Sequence, residues 1–571
     1  MTNAYEHFKL AIYCTATCLD ASFEQIQREL IFFRNHLKVS KVYLENHRGD
    51  VSLSKERLLE LKAFFEERGI ETAGGITPIL GKRYRPGYGR HLQAICYTDE
   101  ASRKDFQAAV ETAAAVFDEV IFDDFFFTNC ACDDCLQAKG DRSWEEFRLE
   151  LMAEVSENLI RKPALAVNPR VKLVIKYPNW NESYQSSGYN TEKQPLIFDG
   201  VYTGTETRDP AITQQHIPRY ASYSLLRWME NLAPGKNGGG WFDSFDCTYT
   251  EYYLEQAYLT LFAKAKEMTL FCYSILKESY YIPALGHQLD KLDALIGQLG
   301  NPVGMKVYEP HHAKGEDHLY DYLGMMGIPL ELTPTFPKDG SPLLITANAA
   351  KDETVLAKMK AHLRGGGTII MTSGFLTRMA GKGVEDLTVL RATGRSMAAS
   401  LFAQDTGVCS FNHFSSSGEA VTLPVLDFST NSTWQKLVAW NGQMNIPLLV
   451  YDYYGNGKLY TLAVPDNYAD LWKLPEAAVS GIRNVFTEEV LPFELVGPAE
   501  VGLFAYDNGT FIVESFSKVP QTWHITGLKR KRLTVLAKMP GTQVAVIPHE
   551  DASGYTLHMP PSSVCVLRLS E

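Results

Sequence analysis

The sequence predicts an α/β protein built as a (β/α)8 TIM barrel, a second α/β domain and a small C-terminal antiparallel β domain. Three observations carry this. Strand-like and helix-like segments alternate eight times across residues 8–280, close to the ~250 residues that such a barrel needs. Polar and charged residues follow nearly every candidate strand instead of gathering at one switch point, which favours a barrel over an open doubly wound sheet. Beyond residue 495 the pattern shortens to alternating strands with Gly, Asn and Pro turns. At 571 residues the chain also exceeds what one core serves, since single cores stop growing near ~250–300 residues. The expected divisions are 1–290, 291–490 and 491–571.

The barrel elements read in order. Leu10–Cys18 is an apolar strand, and Ser22–Val39 follows with Phe23, Ile26, Leu30, Phe33 and Leu37 at helical spacing. Lys41–His47 is the second strand. The helix Ser54–Arg68 has Ser54 as N-cap and Gly69 beyond its end. Glu71–Leu80 and Glu119–Phe122 are strands three and four, separated by a helix over Asp105–Phe117, and Ser143–Ile160 is the next helix. Lys172–Trp180, Leu196–Thr203, Gly240–Phe245 and Met268–Ile275 complete the eight strands, with helices over Ala211–Leu232 and Tyr249–Ala265.

The periodicity resets near 283–300. Gly304–Tyr308, Leu330–Leu332, Pro342–Ala347, Gly367–Thr372 and Lys458–Ala463 are the strands of the second domain, with a helix over Asp352–Leu363. The run Arg364–Thr368 follows a helix and precedes a strand, the reverse of a phosphate cradle, so nucleotide binding is not expected there. In the last domain Phe511–Phe516, Leu533–Leu536, Val544–Ile547, Tyr555–Met559 and Val564–Leu567 are strands, and Asp507–Asn508–Gly509 is a hairpin turn.

Composition excludes several functions. A net charge of −12 argues against a nucleic-acid groove. The densest basic run, Lys529–Arg532, is short and reads as a solvated strand edge. No apolar run is long enough for a membrane span. The opening MTNAYEHFKLAIYC lacks the segments of a secretory leader, so a cytoplasmic location is expected. The ten cysteines are too thinly spread for a disulfide framework.

Chemistry in a barrel is built at the carboxyl ends of its strands. Those ends offer Glu45 and His47 after strand two, Asp123 and Asp124 after four, and Lys176, Tyr177, Asn179 and Trp180 after five. Glu206 and Arg208 follow strand six, Asp243 and Asp246 strand seven, and Tyr273 and Lys277 strand eight. This rim of carboxylates, amides and aromatics suits glycosidic cleavage, which needs one carboxyl to protonate the leaving oxygen and a second as nucleophile or base. Trp180 and Trp241 are candidates to stack on a pyranose. Plainer roles exist for several of these groups: Asp243 and Asp246 can cap the helix near Tyr249, and Glu206 can pair with Arg208. Asp123–Asp124 stands in an apolar frame between Ile121–Phe122 and Phe125–Phe127, where burial raises a carboxyl pKa as a general acid requires.

Beside that pair stands Cys130-x-Cys132-x2-Cys135. Three thiolates in six residues suit a tetrahedral zinc ion, and Cys96, in the preceding barrel loop, is the nearest fourth ligand. Such a site would be structural. Reduced thiols without metal are the alternative.

The order of parts resembles the family 42 glycoside hydrolases, β-galactosidases with a barrel, a glutaminase-like trimerisation domain and a small β domain. In that family strand four ends in Asn-Glu, the Glu being the acid/base, and a Cys-x-Cys-x2-Cys zinc cluster follows, with a further Cys upstream after an Arg-His pair. Here Asp123–Asp124, Cys130, Cys132 and Cys135 stand in that order, with Arg90–His91 and Cys96 upstream. Leu344–Ala347 and Gly366–Ser373 are similar to parts of the trimerisation domain, a flavodoxin/glutaminase-like unit, without its nucleophile cysteine. The resemblance implies Asp124 as the acid/base and a homo-oligomer, trimer or dimer. The departures are Asp124 in place of Glu, a longer spacing from Arg90–His91 to Cys96, and no clear nucleophile Glu after strand seven, where Asp243 stands. An alternative pairing, strand-four Asp nucleophile with Glu206 as acid, resembles the α-galactosidase and α-glucosidase barrels. The expectation is a glycoside hydrolase with Asp124 first and Glu206 or Asp243 as its partner. A non-catalytic carbohydrate-binding protein and a metal-dependent hydrolase are the alternatives.

Overall fold

The computed structural model describes residues 4–79, 94–406, 411, 413–429, 431–528, 531–539, 543–551 and 553–570. Arg90–His91, the end of the third predicted strand at Leu80, and half of the basic run at Lys529–Arg530 lie outside them. The chain divides into two compact units, one of residues 1–217 with 221–297, the other of 218–220 with 298–571. No described helix is long and apolar enough to cross a membrane.

The first unit is a closed parallel barrel. Its strands are β1 Lys9–Cys14, β2 Lys41–Arg48, β3 Glu71–Thr77, β4 Glu119–Phe122, β5 Lys172–Tyr177, β6 Gly200–Gly204, β7 Asn237–Asp243 and β8 Glu267–Phe271. Each pairs with its neighbour in sequence, and β1 closes the ring on β8 through Lys9↔Glu267. The strand interiors are almost wholly buried, as expected where helices cover the outer face. Ser54 accepts a hydrogen bond from the Arg57 amide, confirming that cap, and Ser143 and Glu146 form a capping box. Inside the barrel Ala11, Tyr13, Tyr43, Ala73, Ile121, Val174, Tyr202 and Trp241 form the core. A Cβ on Gly75 would meet the Tyr13 hydroxyl at 2.7 Å and its ring at 2.8 Å, so glycine leaves room for that side chain.

Several boundaries differ from the sequence reading. β5 stops at Tyr177 because Pro178 cannot continue the ladder. β8 stops at Phe271, and Tyr273–Leu276 is helical, where a strand to Ile275 was expected. Gln194–Ile197 is a helical turn instead of the start of β6, and only Ala221–Leu232 of the predicted Ala211–Leu232 helix is helical.

In the second unit, parallel strands Met305–Tyr308, Leu330–Thr333, Leu343–Ile345, Thr368–Thr372 and Gly457–Leu462 fall where the pattern puts them. Four antiparallel strands, Arg391–Gln404, Phe414–Asp427, Trp434–Trp440 and Asn445–Tyr454, extend the same sheet and were not anticipated. The C-terminal region forms a five-stranded and a four-stranded sheet around a core that includes Trp523, Val513 and Leu557. The Asp507–Gly509 turn joins Val501–Tyr506 to Thr510–Ser515 as expected. The buried Arg483 guanidinium donates to the carbonyls of Met326, Leu495, Gly497 and Pro498, tying the helix Glu476–Thr487 to both parts of this unit.

Candidate active site

The ends of β4, β5 and β6 converge on one ammonium group. Lys176, the fifth residue of β5 and only 2% exposed, places Nζ 2.7 Å from Asp124 Oδ2, 2.9 Å from Glu206 Oε1 and 3.7 Å from Asp123 Oδ1. The Trp241 ring lies 4.3 Å from Nζ to its centroid, a cation–π contact. One ammonium does not balance three buried carboxylates, and a second cation stands beside them. The second is Arg48.

Arg48 donates to Glu45 and, through Nη2, to Asp123 Oδ2 at 3.2 Å and Thr77 Oγ1 at 3.0 Å. Sequence reasoning missed it and chose His47. The cause is a bulge between Glu45 and His47 in the β2–β3 pairing, which shifts the alternation by one residue. A bulge re-aims the side chains beyond it. Glu45 and Arg48 therefore both point to the barrel interior, while His47 meets Ser52 on the short hairpin strand Val51–Ser52. Glu45 is fully buried and saturated: it accepts from Tyr13 Oη at 2.8 Å, Thr77 Oγ1 at 2.5 Å, the Ala16 amide at 2.7 Å and Arg48 Nε at 3.0 Å. It holds Arg48 and has no lone pair to spare.

The two aspartates after β4 differ in environment. Phe122 and Phe126 pack with Phe106 and Phe198 on the helix side of the strand, and Phe127 packs on Trp180. This anchoring turns the intervening carboxylates to the mouth. Burial opposes ionisation of Asp123, but Lys176 and Arg48 outweigh it and hold the carboxyl below the usual range. Asp124 moves the other way. Burial, with Asp123 and Glu206 adding repulsion, overcomes Lys176 and pushes it up to about 8. Its side chain is 20% exposed, against 3% for Asp123 and 5% for Glu206, so Asp124 is the member that solvent or substrate reaches.

Glu206 is positioned by the backbone after β6. Its Oε1 is taken by Lys176, while Oε2 is buried with no hydrogen-bond partner. A Cβ on Gly204 would stand 2.5 Å from Oε2, so glycine is required there for the carboxylate to sit where it does. Asn179 donates to the Glu206 carbonyl and exchanges amide hydrogen bonds with Gln215 at 2.9 and 3.0 Å, which fixes the loop.

Arg208, in the left-handed region at φ 56°, does not pair with Glu206. It grips Asp243 through two bonds of 3.0 and 2.7 Å. Nor does Asp243 cap the following helix, whose N-cap is Tyr249. Burial raises the Asp243 carboxyl in spite of this pairing. Phe245, 44% exposed, flanks Arg208 and lies 6.3 Å from Phe271, centroid to centroid.

Three expected binding residues occupy other places. Trp241 is 1% exposed, wedged between Tyr13 and Phe271 as barrel core, and offers no open face. Tyr177 is buried against Tyr184 and Tyr189. Tyr273, carried into a helix by the early end of β8, donates to the Ile26 carbonyl and packs on Phe33, away from the mouth. Trp180 is half-buried at the β5 end beside Phe127 and Tyr189.

The four cysteines come together. Cys96, Cys130, Cys132 and Cys135 are buried, their sulfurs all within 4.8 Å of one another, and Cys96 Sγ lies 3.7 Å from Cys132 and 3.6 Å from Cys135. A tetrahedron of ~2.3 Å zinc–sulfur bonds has edges of about 3.8 Å. The set therefore fits a single metal ion. Trp144, Phe147 and Leu151 cover it.

Comparison with known proteins agrees with this architecture. Residues 1–284 match the family model described as probable glycosyl hydrolase, catalytic domain, and residues 492–564 match probable glycosyl hydrolase, C-terminal domain. Residues 300–467 match the second domain of the uncharacterized protein SSO3021. That protein, from Saccharolobus solfataricus, is 28% identical over 507 residues, covering 80% of this chain and 82% of its own length. Among solved structures, the β-galactosidase of Bacillus circulans sp. alkalophilus superposes with TM-score 0.66 at 13% identity, covering 99% of both chains. α-L-fucosidase isoenzyme 2 of Paenibacillus thiaminolyticus gives 0.66 at 10% identity, covering 99% of this chain and 100% of the other. A family 42 β-galactosidase of G. stearothermophilus gives 0.63 at 9%, covering both chains entirely. At such identities the likeness is one of fold.

Proposed function

From a chain that carries a probable glycosyl hydrolase catalytic domain on a fold distantly related to family 42, we propose that the Lys176-bridged pair Asp124 and Glu206 cleaves a glycosidic bond. The observation that carries the reading is the shared ammonium. Both bridging oxygens lie on one Nζ, at 2.7 and 2.9 Å, so they stand no farther apart than those bonds laid end to end, about 5.6 Å. Carboxyl groups ~5–5.5 Å apart belong to retaining glycosidases.

The roles follow from the environments. Asp124, pushed up to about 8, keeps its proton near neutrality and presents it to the leaving oxygen as general acid. Glu206 Oε2, with no donor to release, attacks the anomeric carbon. Asp124, deprotonated by the first step, then takes a proton from water in the second. Asp123, held ionised, keeps Lys176 charged. Phe271 and Phe245 flank the mouth and suit the C–H face of a sugar ring. The 2.7 Å contact of Lys176 with Asp124 favours the reverse assignment, Asp124 as nucleophile and Glu206 as acid. The named relatives act on β-galactosides and α-L-fucosides, so the sugar is left to a panel of aryl glycosides. Hydrolysis of one of them, lost in Asp124→Asn with the fold retained, supports the pair. Unchanged turnover in that variant removes Asp124 from the mechanism.

For the cysteine cluster we propose a structural zinc ion on Cys96, Cys130, Cys132 and Cys135, pinning the β3 and β4 loops beside Asp124. Four sulfurs fill its coordination, which leaves no position for substrate. Assembly into a homo-oligomer is proposed from the family 42 resemblance and is tested by sedimentation.

A further inference from the structure

The second unit contains a strand-order reversal that the barrel chemistry does not use. Its five parallel strands run in the order Leu330–Thr333, Met305–Tyr308, Leu343–Ile345, Thr368–Thr372, Gly457–Leu462. The first strand in sequence therefore has the second on one side and the third on the other. That reversal is a topological switch point, and ligands of open α/β sheets bind just beyond the carboxyl ends of the strands that flank it.

The residues at those two ends are Glu309 and Thr346. Both are buried, at 4% and 0% exposure, and both leave a polar atom without a partner: Glu309 Oε2 and Thr346 Oγ1. Asn348 bridges the two loops, donating to Glu309 Oε1 at 2.8 Å and to Asp317 Oδ1 at 3.3 Å. Glu316 Oε2 accepts from the Ala347 amide at 2.7 Å and from Thr372. His318 is turned to Asp321 at 2.9 Å. Buried polar groups are ordinarily partnered, and two unpartnered atoms at one switch point mark a place where a hydrogen-bonding group is meant to arrive.

The surroundings narrow the donor. Asp317 and Asp321 add negative charge around Glu309, opposed by the Asn348 hydrogen bond and by His318. Among the described residues only the four cysteines converge tightly enough to hold a metal ion, so these carboxylates do not suit one. We propose that this switch point binds a small molecule through a primary ammonium group, with Glu309 Oε2 and Thr346 Oγ1 as its acceptors. Burial pushes free Glu309 up to about 8, so at pH 7 it is mostly protonated. An arriving ammonium forces it to ionise, and binding releases most of one proton.

The test is titration calorimetry on the full chain with methylammonium, ethanolamine and a neutral monosaccharide, in buffers of different ionisation enthalpy. Saturable amine binding with proton release, weakened at least tenfold in Glu309→Gln, is the expected result. Thr346→Val is nearly isosteric, loses no existing hydrogen bond, and is expected to keep its Tm while also weakening the amine. No saturable response to either amine overturns the proposal, and so does equal binding in Thr346→Val. Binding of the monosaccharide alone overturns it too, as does a bound water as the sole occupant at high amine concentration. Each of these outcomes leaves the glycosidase reading untouched.

Discussion

The barrel carries the same motif at both ends, a buried lysine between two carboxylates. At the mouth Lys176 joins Asp124 and Glu206. At the floor Lys41 joins Glu119 at 2.5 Å and Glu267 at 3.2 Å. The difference lies in what completes each network. At the floor, Tyr43 donates to Glu267 at 2.6 Å, Tyr202 donates to the same carboxylate at 3.2 Å, and Lys41 also reaches Tyr43 at 2.8 Å. Both Glu267 oxygens have donors. At the mouth Glu206 keeps one oxygen without any, and Asp124 sits in a place that disfavours its charge. A saturated network holds a fold together, whereas one left incomplete is ready for an incoming group.

The largest expected contrast is in turnover. Asp124→Asn should lower kcat on a responsive aryl glycoside by about 10²–10⁴-fold, the usual worth of a positioned acid. Glu119→Gln at the floor should leave kcat within about twofold. Comparable losses in both would dissolve the distinction.

Next comes lysine removal. Lys176→Met strands carboxylates that are almost fully buried and should cost about 3–5 kcal/mol in chemical denaturation. Lys41→Met should cost less, because Glu119 is 30% exposed and can be hydrated. Only the mouth variant should move the pH–rate profile.

That profile has a defined direction. Asp124 has its carboxyl raised to about 8, and the acid form is the active one. Activity should therefore hold through neutrality and fall as pH rises through about 8. In Lys176→Met the falling limb should shift to higher pH, because the cation that favours ionisation is gone. A limb that stays in place would separate Asp124 from the rate.

The smallest effect on chemistry is expected from the cysteines. Chelation of zinc, or Cys132→Ser, should lower Tm by several degrees while kcat at 25 °C changes less than about threefold. Loss of turnover in step with metal, at unchanged stability, would make the ion catalytic.

How much of this was legible in the sequence varies with the physics of each segment. β4 is read to the residue, because Glu119–Phe122 is an apolar run closed by Asp123. Asp124 and Glu206 are visible as acids just past a strand, Lys176 as a lysine at the end of an apolar strand, and the cysteines by their spacing. The convergence of Asp124 and Glu206 on the Lys176 Nζ is not, since it needs three strands side by side. Arg48 is hidden by the bulge after Glu45, which no period-2 pattern records. The long strands Arg391–Gln404 and Phe414–Asp427 escape because both faces are largely exposed and their alternation is lost. Tyr273 is misplaced for a related reason. The apolar run Met268–Ile275 continues from strand into helix without a break in hydrophobicity.

The most direct test of the Lys176-bridged pair is covalent trapping. A 2-deoxy-2-fluoro glycoside of the responsive sugar, carrying a good leaving group, is incubated with the protein, which is then digested and sequenced by mass spectrometry. The label is predicted on Glu206, and a label on Asp124 would keep the pair with its roles exchanged. A label on Asp243 or Asp123, or rapid turnover with inverted product and no label, would contradict the account.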